Sequence, residues 1–583
     1  MKIRRLLTAA LAIAALSISL TSTSFANSAD EEFVAESPKS ADGQYLNGYI
    51  GVDSKPSEQL LTFTSFLLNF EGAPGSVSKV TACTSVSDSN CGSGFRFFSR
   101  SELQPCSPSN PSDCFKELIV KNSIGAPIAA KLVDQIVPNK QAFSGDSSLW
   151  LPKGGAPLLY SIPGAKHDGG ELYLVKPDVV MHKETQDQHF ELDKFEAAIY
   201  PVKVISLSDK KDPMPSLAST DFKDYGGQIG FAGAGGGGCD FGFTDGKNCY
   251  IPQAFPQGIN FGMSLRLSHP MYGWLHGRFL NPDVQITANQ ANKDGVDLSI
   301  TAAPLRVPVI AGFIKSEGAP EKILKYFADL PRFGTVRFSG MGPVDRSGPL
   351  SSMTIFHQHM DASEYTMTEL RDWLDVLGDT SAAEPSYWLV QTVLGGKVDE
   401  VSNCTKDAKS LAGIVTTNAT AYLPGPPAFD KATSSLDYKV LAPHFLKNKS
   451  VNQGTYNLVM NTDLARCIYK FNNAPIGATV SVLASDGTNN VATTLVTQDK
   501  NFIKMSASGF TYSDPTVRVK ITQDAESVAP APQASSEPGP AKPGVTNQSV
   551  IKQSKITITC IKGKTVKKVS AISPKCPAGF KKK

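Results

Sequence analysis

The sequence reads as mainly β: several antiparallel β-sandwich-like units with a few short helices, stapled by disulfides. Three observations point there. Charged residues make up 19% and aromatics 9% of 583 residues, while Gly (48) and Pro (39) are plentiful. Long amphipathic helices would need more charge and fewer breakers, whereas strands joined by turns suit this composition. Apolar and polar residues alternate over short runs: Val296, Leu298 and Ile300 against Asp297, Ser299 and Thr301 form the pattern of a half-buried strand. The 10 cysteines fall in near pairs that leave none over: Cys83 with Cys91, Cys106 with Cys114, Cys239 with Cys249, Cys404 with Cys467, and Cys560 with Cys576. The tight Cys-x-x-Cys spacing of zinc sites is absent.

Residues 1–26 have the order of an export signal. Lys2, Arg4 and Arg5 precede an apolar run over 6–20, and Ser24-Phe25-Ala26 supplies small residues for cleavage. The apolar run is short for a membrane span. Export favours oxidised sulfur, so the chain is expected to be secreted, extracellular or associated with the cell surface.

Residues 27–207 then read as a β-rich domain with disulfide-pinned loops. It opens on a polar stretch, has strands near 61–68, 171–175 and 195–202, and a loop-rich insert from Cys83 to Cys114. Residues 208–401 read as a second, mixed but mostly β domain. It begins with a connector and a glycine run from Gly233 to Gly238, which Cys239 and Cys249 would pin. The run lacks the Gly-Lys-Ser/Thr ending of a phosphate loop. Strands are expected at 259–267, 284–288 and 296–301, and two helices interrupt them. Ala319-Pro320-Glu321 starts the first. In the second, Leu370, Trp373, Leu374 and Leu377 recur at helical spacing before Gly378.

Residues 402–523 read as a β-sandwich, immunoglobulin-like in architecture but without the Cys–Trp–Cys signature. Tyr456, Leu458 and Met460 alternate, 478–483 and 491–496 flank the turn signal Asp486-Gly487, and Phe510, Tyr512, Val517, Val519 and Ile521 mark two more strands. The Cys404–Cys467 bridge would tie an early element to a central strand. Residues 524–550, rich in Pro, Ala and Ser, read as an extended linker.

Residues 551–583 close the chain with ten lysines and no acid. Setting these aside, with the three cations of the leader, turns the overall +3 into −10 for residues 27–550. An acidic body thus carries a cationic tail, the pattern of an interaction segment for polyanions. Lys562, Lys564, Lys567, Lys568, Lys575, Lys581, Lys582 and Lys583 are its candidate surface-binding residues. The partners expected are anionic cell-envelope polymers or lipid headgroups; no nucleic acid is expected for an exported chain. The run from Thr557 through Cys560 and Lys564 to Lys568, followed by Pro574-Lys575-Cys576-Pro577-Ala578-Gly579-Phe580 and the closing lysines, resembles a short terminal module of secreted actinobacterial surface proteins. The resemblance covers only this segment. It implies location and lineage, not chemistry.

Two segments are candidate sites. His357-Gln358-His359-Met360-Asp361 places two imidazoles at strand spacing beside a carboxylate, a set able to hold a divalent metal. Tyr272, Trp274 and Arg278 form the densest aromatic and basic segment and suit a glycan ligand, with Arg278 reaching a carboxylate; the competing reading is a core strand. No Gly-x-Ser-x-Gly elbow or His-Glu-x-x-His helix occurs, and no catalytic residue is assigned. The function expected is a non-catalytic binding or structural protein retained at the envelope by its tail. The alternative is an extracellular metal-dependent hydrolase acting on envelope or environmental polymers through His357, His359 and Asp361.

Overall fold

The computed structural model describes residues 45–53, 65–91, 94–136, 143–206, 243–244, 248–267, 274–288, 295–328, 338–339, 354–359, 361–392, 404, 412–423, 425, 427–471, 476–483, 489–490, 492–498, 502–512, 516–523, 556–562, 565–571 and 581–582. The candidate leader, the glycine run, Tyr272 and the linker lie outside them. Among the described residues the fold is mainly β, with 59% strand, 10% helix and three short helices. It divides into two compact units, Met1–Ala525 and Glu526–Lys583.

Among the described residues, the first unit is organised by a sheet network of 18 strands. Its central run passes from Phe66–Ala73 through Arg96–Glu102, Leu172–Glu184, Glu191–Ser206, Ser386–Thr392, Trp274–Ala288, Gly413–Thr417 and Gln453–Asn461 to Phe502–Thr511. Hydrogen-bonded pairs therefore join strands from all three stretches that the sequence separates near 208 and 402. The pairing is antiparallel except between Trp274–Ala288 and Gly413–Thr417, which run parallel. The long intervening chain supplies the crossover that parallel neighbours require.

Both faces of the central run are covered. Tyr173, Val175 and Val179 point to one core with Phe195, Ala197, Ile199 and Trp388; Leu174 points to another with Ala198, Tyr200 and Val202. This explains why 195–202, apart from Glu196, is apolar rather than alternating. Over the first face lie Cys114–Asn122, Ile259–Leu267 and Val296–Arg306. They join the central run through Trp274–Ala288, whose pairing shifts between Leu280 and Asp283. Asn281 sits there at φ 48 before Pro282. Asn tolerates the left-handed region and Pro withholds a donor, so the strand bends and changes partners. Over part of the opposite face, Ser435–Leu441, Thr516–Gln523 and Ile476–Leu483 pack their alternate residues against Tyr456, Leu458 and Met505.

Most expected elements appear close to their places, including 259–267 as the strand Ile259–Leu267 and both helices, Glu321–Ala328 and Glu364–Leu377. Asp486-Gly487 lies outside the described residues; Ile476–Leu483 pairs antiparallel with the short Asn489–Asn490 beyond it, whereas the strand expected at 491–496 appears as Thr493–Gln498 and pairs instead with Phe502–Thr511. Two readings are corrected. The stretch from Cys83 to Cys114 is not only loop, because Arg96–Glu102 is a central strand. Its polar residues Arg100 and Glu102 occupy strand positions because they pair with Asp178 and Lys176 of a neighbouring strand inside the protein. Cys467 is not on a strand but in the helix Thr462–Tyr469. Asn461 caps that helix by accepting from the backbone N–H groups of Asp463 and Leu464 at 2.9 and 3.2 Å, which ends the preceding strand. The bridges Cys83–Cys91, Cys106–Cys114 and Cys404–Cys467 form as expected; Cys249 is also disulfide-bonded.

The helix Glu364–Leu377 sits on a small sheet made by Ile310–Lys315, Tyr45–Ile50 and Thr354–His359. Ser363 accepts from the Thr366 N–H at 3.0 Å to start it, and Gly378 at φ 75 ends it. Its seat is two glycines facing each other across strands, Gly48 and Gly312. A Cβ on Gly48 would lie 2.3 Å from Trp373 Cζ2, and one on Gly312 2.7 Å from Leu377 Cδ2. Trp373 is fully buried and has nowhere to retreat. Gly48→Ala is therefore expected to destabilise the first unit by about 1–3 kcal/mol through overpacking. An unchanged denaturant midpoint would show that the seat is looser than described.

Candidate functional site

The strand register of the central run sets five polar residues in one line. Glu102 pairs with Asp178, Asp178 with Glu196, Glu196 with Gln391, and Gln391 with His276. Directly opposed residues share a face of the sheet, so the line is a continuous polar row across five adjacent strands. All its members but Gln391 are buried.

At one end the row is ionic. Each of three strands carries a cation and an acid two residues apart: Arg100 and Glu102, Lys176 and Asp178, Lys194 and Glu196. Period-2 geometry puts both on the same face. Lys176 Nζ donates to Glu102 Oε1 at 2.6 Å, Lys194 Nζ to Glu196 Oε2 at 2.5 Å, and Arg100 pairs with Asp178. Charges balance, yet Glu102 Oε2, Asp178 Oδ1 and Arg100 Nε have no hydrogen-bond partner among the described residues. Burial, with Asp178 adding to it, pushes the Glu102 carboxyl up to about 7 against the pull of Lys176 and Arg100. Glu196 moves the other way: burial opposes the shift, but Lys194, then Arg100 and Lys176, hold it below the ordinary range.

At the other end Asp53 gathers the network. It follows the strand Tyr45–Ile50 at φ 58. Its carboxylate accepts from Arg278 Nε at 3.0 Å, from the Tyr422 hydroxyl at 2.8 Å and from Gln391 Nε2. Arg278 is fully buried. It also donates through Nη1 to the Thr417 and Ala419 carbonyls at 2.9 and 2.7 Å and lies 4.9 Å over the Tyr422 ring. His276 stacks on Tyr422 with centroids 3.7 Å apart, its Nδ1 3.8 Å from Asp53. Neither ring nitrogen has a hydrogen-bond partner among the described residues. Burial, and then Arg278, hold this imidazole well below its usual pKa, so it is neutral. Burial and the Asp53 charge hold the Tyr422 phenol protonated.

Arg278 thus reaches a carboxylate, as its chemistry suggests, but that carboxylate belongs to the chain itself. Trp274 is also buried, against Gly413, where a Cβ would lie 2.2 Å from its ring. His357 and His359 lie on Thr354–His359, opposite Gly48 and Ile50; their side chains lie outside the described residues. Asp361 accepts from Thr366 Oγ1 at 2.9 Å at the start of the helix Glu364–Leu377. Among the described residues no group of three His, Cys, Asp or Glu is arranged to hold a metal. Sequence reasoning missed Asp53 and the ionic row. The repeated cation-x-acid spacing inside apolar strands was the available signal for the row, whereas nothing local marks Asp53. No family model matches this chain, and neither the curated proteins nor the solved structures contain a match.

Two outcomes follow from the row's geometry. Asp53→Asn leaves the buried Arg278 without its counter-charge and is expected to cost about 3–5 kcal/mol. Asp53→Asn with Arg278→Met should cost less than the two singles combined, and strict additivity in equilibrium unfolding would refute the coupling. The second concerns pH. Glu102 binds its proton more tightly folded than unfolded, so its contribution is full below about pH 4.5 and lost as pH rises through about 7. Glu196 contributes above its unfolded value and loses that contribution as pH falls. The Glu102 contribution should therefore decline from about pH 5 to about pH 8, by an amount on the order of 1–3 kcal/mol, while the buried neutral His276 opposes it below about pH 6.5, where the unfolded chain binds a proton that the folded imidazole refuses. The stability difference between wild type and Glu102→Gln isolates the carboxyl and should fall as pH rises over this range; a difference that stays flat or grows would contradict the assignment.

Proposed function

We propose that this is a secreted or cell-surface, non-catalytic binding or structural protein, held at the cell envelope by its cationic C-terminal module. The observation that carries the reading is the partition of charge. Ten lysines without an acid fall in residues 551–583, within a compact unit of their own, beyond an acidic body. An anionic surface attracts such a module while the body is repelled from it, and the Pro/Ala/Ser-rich stretch 524–550 provides reach. The disulfides support an extracellular setting, where oxidised cysteines persist. The terminal resemblance to actinobacterial surface proteins favours the same setting.

The test compares full-length protein with a form ending at Val550 for binding to isolated cell envelopes. Each lysine near an anionic surface contributes up to about 1 kcal/mol, and attraction between exposed charges is screened over about 8 Å at physiological salt. The full-length protein is expected to bind more strongly and to be released as salt rises. Equal, salt-insensitive partitioning of both forms would overturn the proposal.

A further inference from the structure

The C-terminal unit carries its charge unevenly. A hairpin joins Ile556–Lys562 to Thr565–Ala571, and Lys581–Lys582 pairs along the other edge of the first strand. The register sets Lys562 opposite Thr565 and Cys560 opposite Lys567; across the other edge it sets Cys560 opposite Lys582 and Ile561 opposite Lys581. Lys562, Lys567 and Lys582 therefore lie at the turn end on one face of three adjacent strands, with Lys581 at the same end on the other face. The opposite end, Ile556, Thr557 and Ile558 paired with Ala571, Ser570 and Val569, holds no charged residue. Neighbouring strands lie about 4.8 Å apart, so these four positions fall within a strip about 10 Å wide.

Like charges in an unfolded tail spread apart, whereas strand pairing holds these at fixed spacing. We infer that the turn end of this small sheet binds a linear, phosphate-bearing polyanion lying across it, engaged by Lys562, Lys567 and Lys582 from one face and Lys581 from the other as a set. The inference rests on the retention reading and names its ligand class and its residues. Lysine is a compact point charge on a flexible stem, so it can follow successive phosphates without the fixed fork geometry that arginine imposes. A strip one polymer chain wide argues for a linear polymer over a bilayer, which would draw on lysines from the whole module. The net −10 of residues 27–550 disfavours a second polyanion contact on the body.

The test uses full-length protein and long-chain inorganic polyphosphate, with phosphatidylglycerol vesicles as a second arm. One variant carries Gln at Lys562, Lys567, Lys581 and Lys582. A second carries Gln at Lys552, Lys555, Lys575 and Lys583, and so loses the same charge. The first is expected to bind polyphosphate about tenfold or more weaker and to show a shallower salt dependence; the second should lose about threefold or less. Arg at the first four positions should keep most of the binding, which separates loss of charge from loss of fold. Equal weakening by both Gln sets, failure of the Arg variant while folded, or binding to vesicles but not to polyphosphate would each overturn the inference. If truncation at Val550 leaves envelope binding unchanged, the retention reading fails instead. If truncation abolishes retention and the two Gln sets weaken binding equally, only this inference fails.

Discussion

The buried guanidinium of Arg278 is the constraint around which the first unit is assembled. An ion taken out of water must recover its solvation from fixed partners, and an unpaired one costs several kcal/mol. Arg278 finds these partners in two separate stretches of chain, one at Asp53 and one over 417–422. Asp53 supplies the counter-charge, the Thr417 and Ala419 carbonyls accept from Nη1, and Tyr422 offers its ring face. The requirement is exacting enough to hold Asp53 in the left-handed backbone region, where short polar residues are tolerated. Satisfying one ion thus fixes where the N-terminal strand ends, and with it the glycine seat beneath Trp373.

The ionic row applies the same physics differently. Here the charges arrive as ready-made pairs, because each strand carries its own cation two residues from its acid on the same face. Strand pairing then interleaves the pairs, and a one-residue slip would carry a strand's charged pair to the opposite, apolar face. The row therefore penalises wrong registers more than it stabilises the right one. That is a role buried ions can fill even when an apolar replacement would be equally stable. Both ends of the row meet at Gln391, which stands opposite Glu196 and donates to Asp53.

The strands, both principal helices and the described disulfides were legible because their causes are local. Alternation, a capping Ser363 before an amphipathic run and close cysteine spacing all act within a few residues. What was illegible is non-local. Nothing near Gly413 announces a parallel neighbour far back along the chain at Trp274, and nothing near Asp53 announces Arg278. The stretch from Cys83 to Cys114 misled because polarity reads as exposure, whereas the polarity of Arg96–Glu102 is neutralised inside the sheet. Arg278 misled in a related way: its reach for a carboxylate is real, but the acid comes from the same chain.

Glu102 shows how far the row can be pressed towards chemistry. A carboxyl raised to about 7 has the acidity of a general acid or base at neutral pH, and such shifts often mark functional sites. Yet a general acid must come within hydrogen-bonding distance of a reacting atom. The Glu102 side chain is fully buried and Lys176 Nζ already holds Oε1. Its shift is accounted for by burial and by Asp178 opposite, without a substrate. The same holds for His276, whose neutrality follows from burial beside Arg278. Unusual acidity in this protein therefore measures how thoroughly the row is removed from water, and the groups that could exchange with a partner are better sought on the charged C-terminal unit than in the sheet.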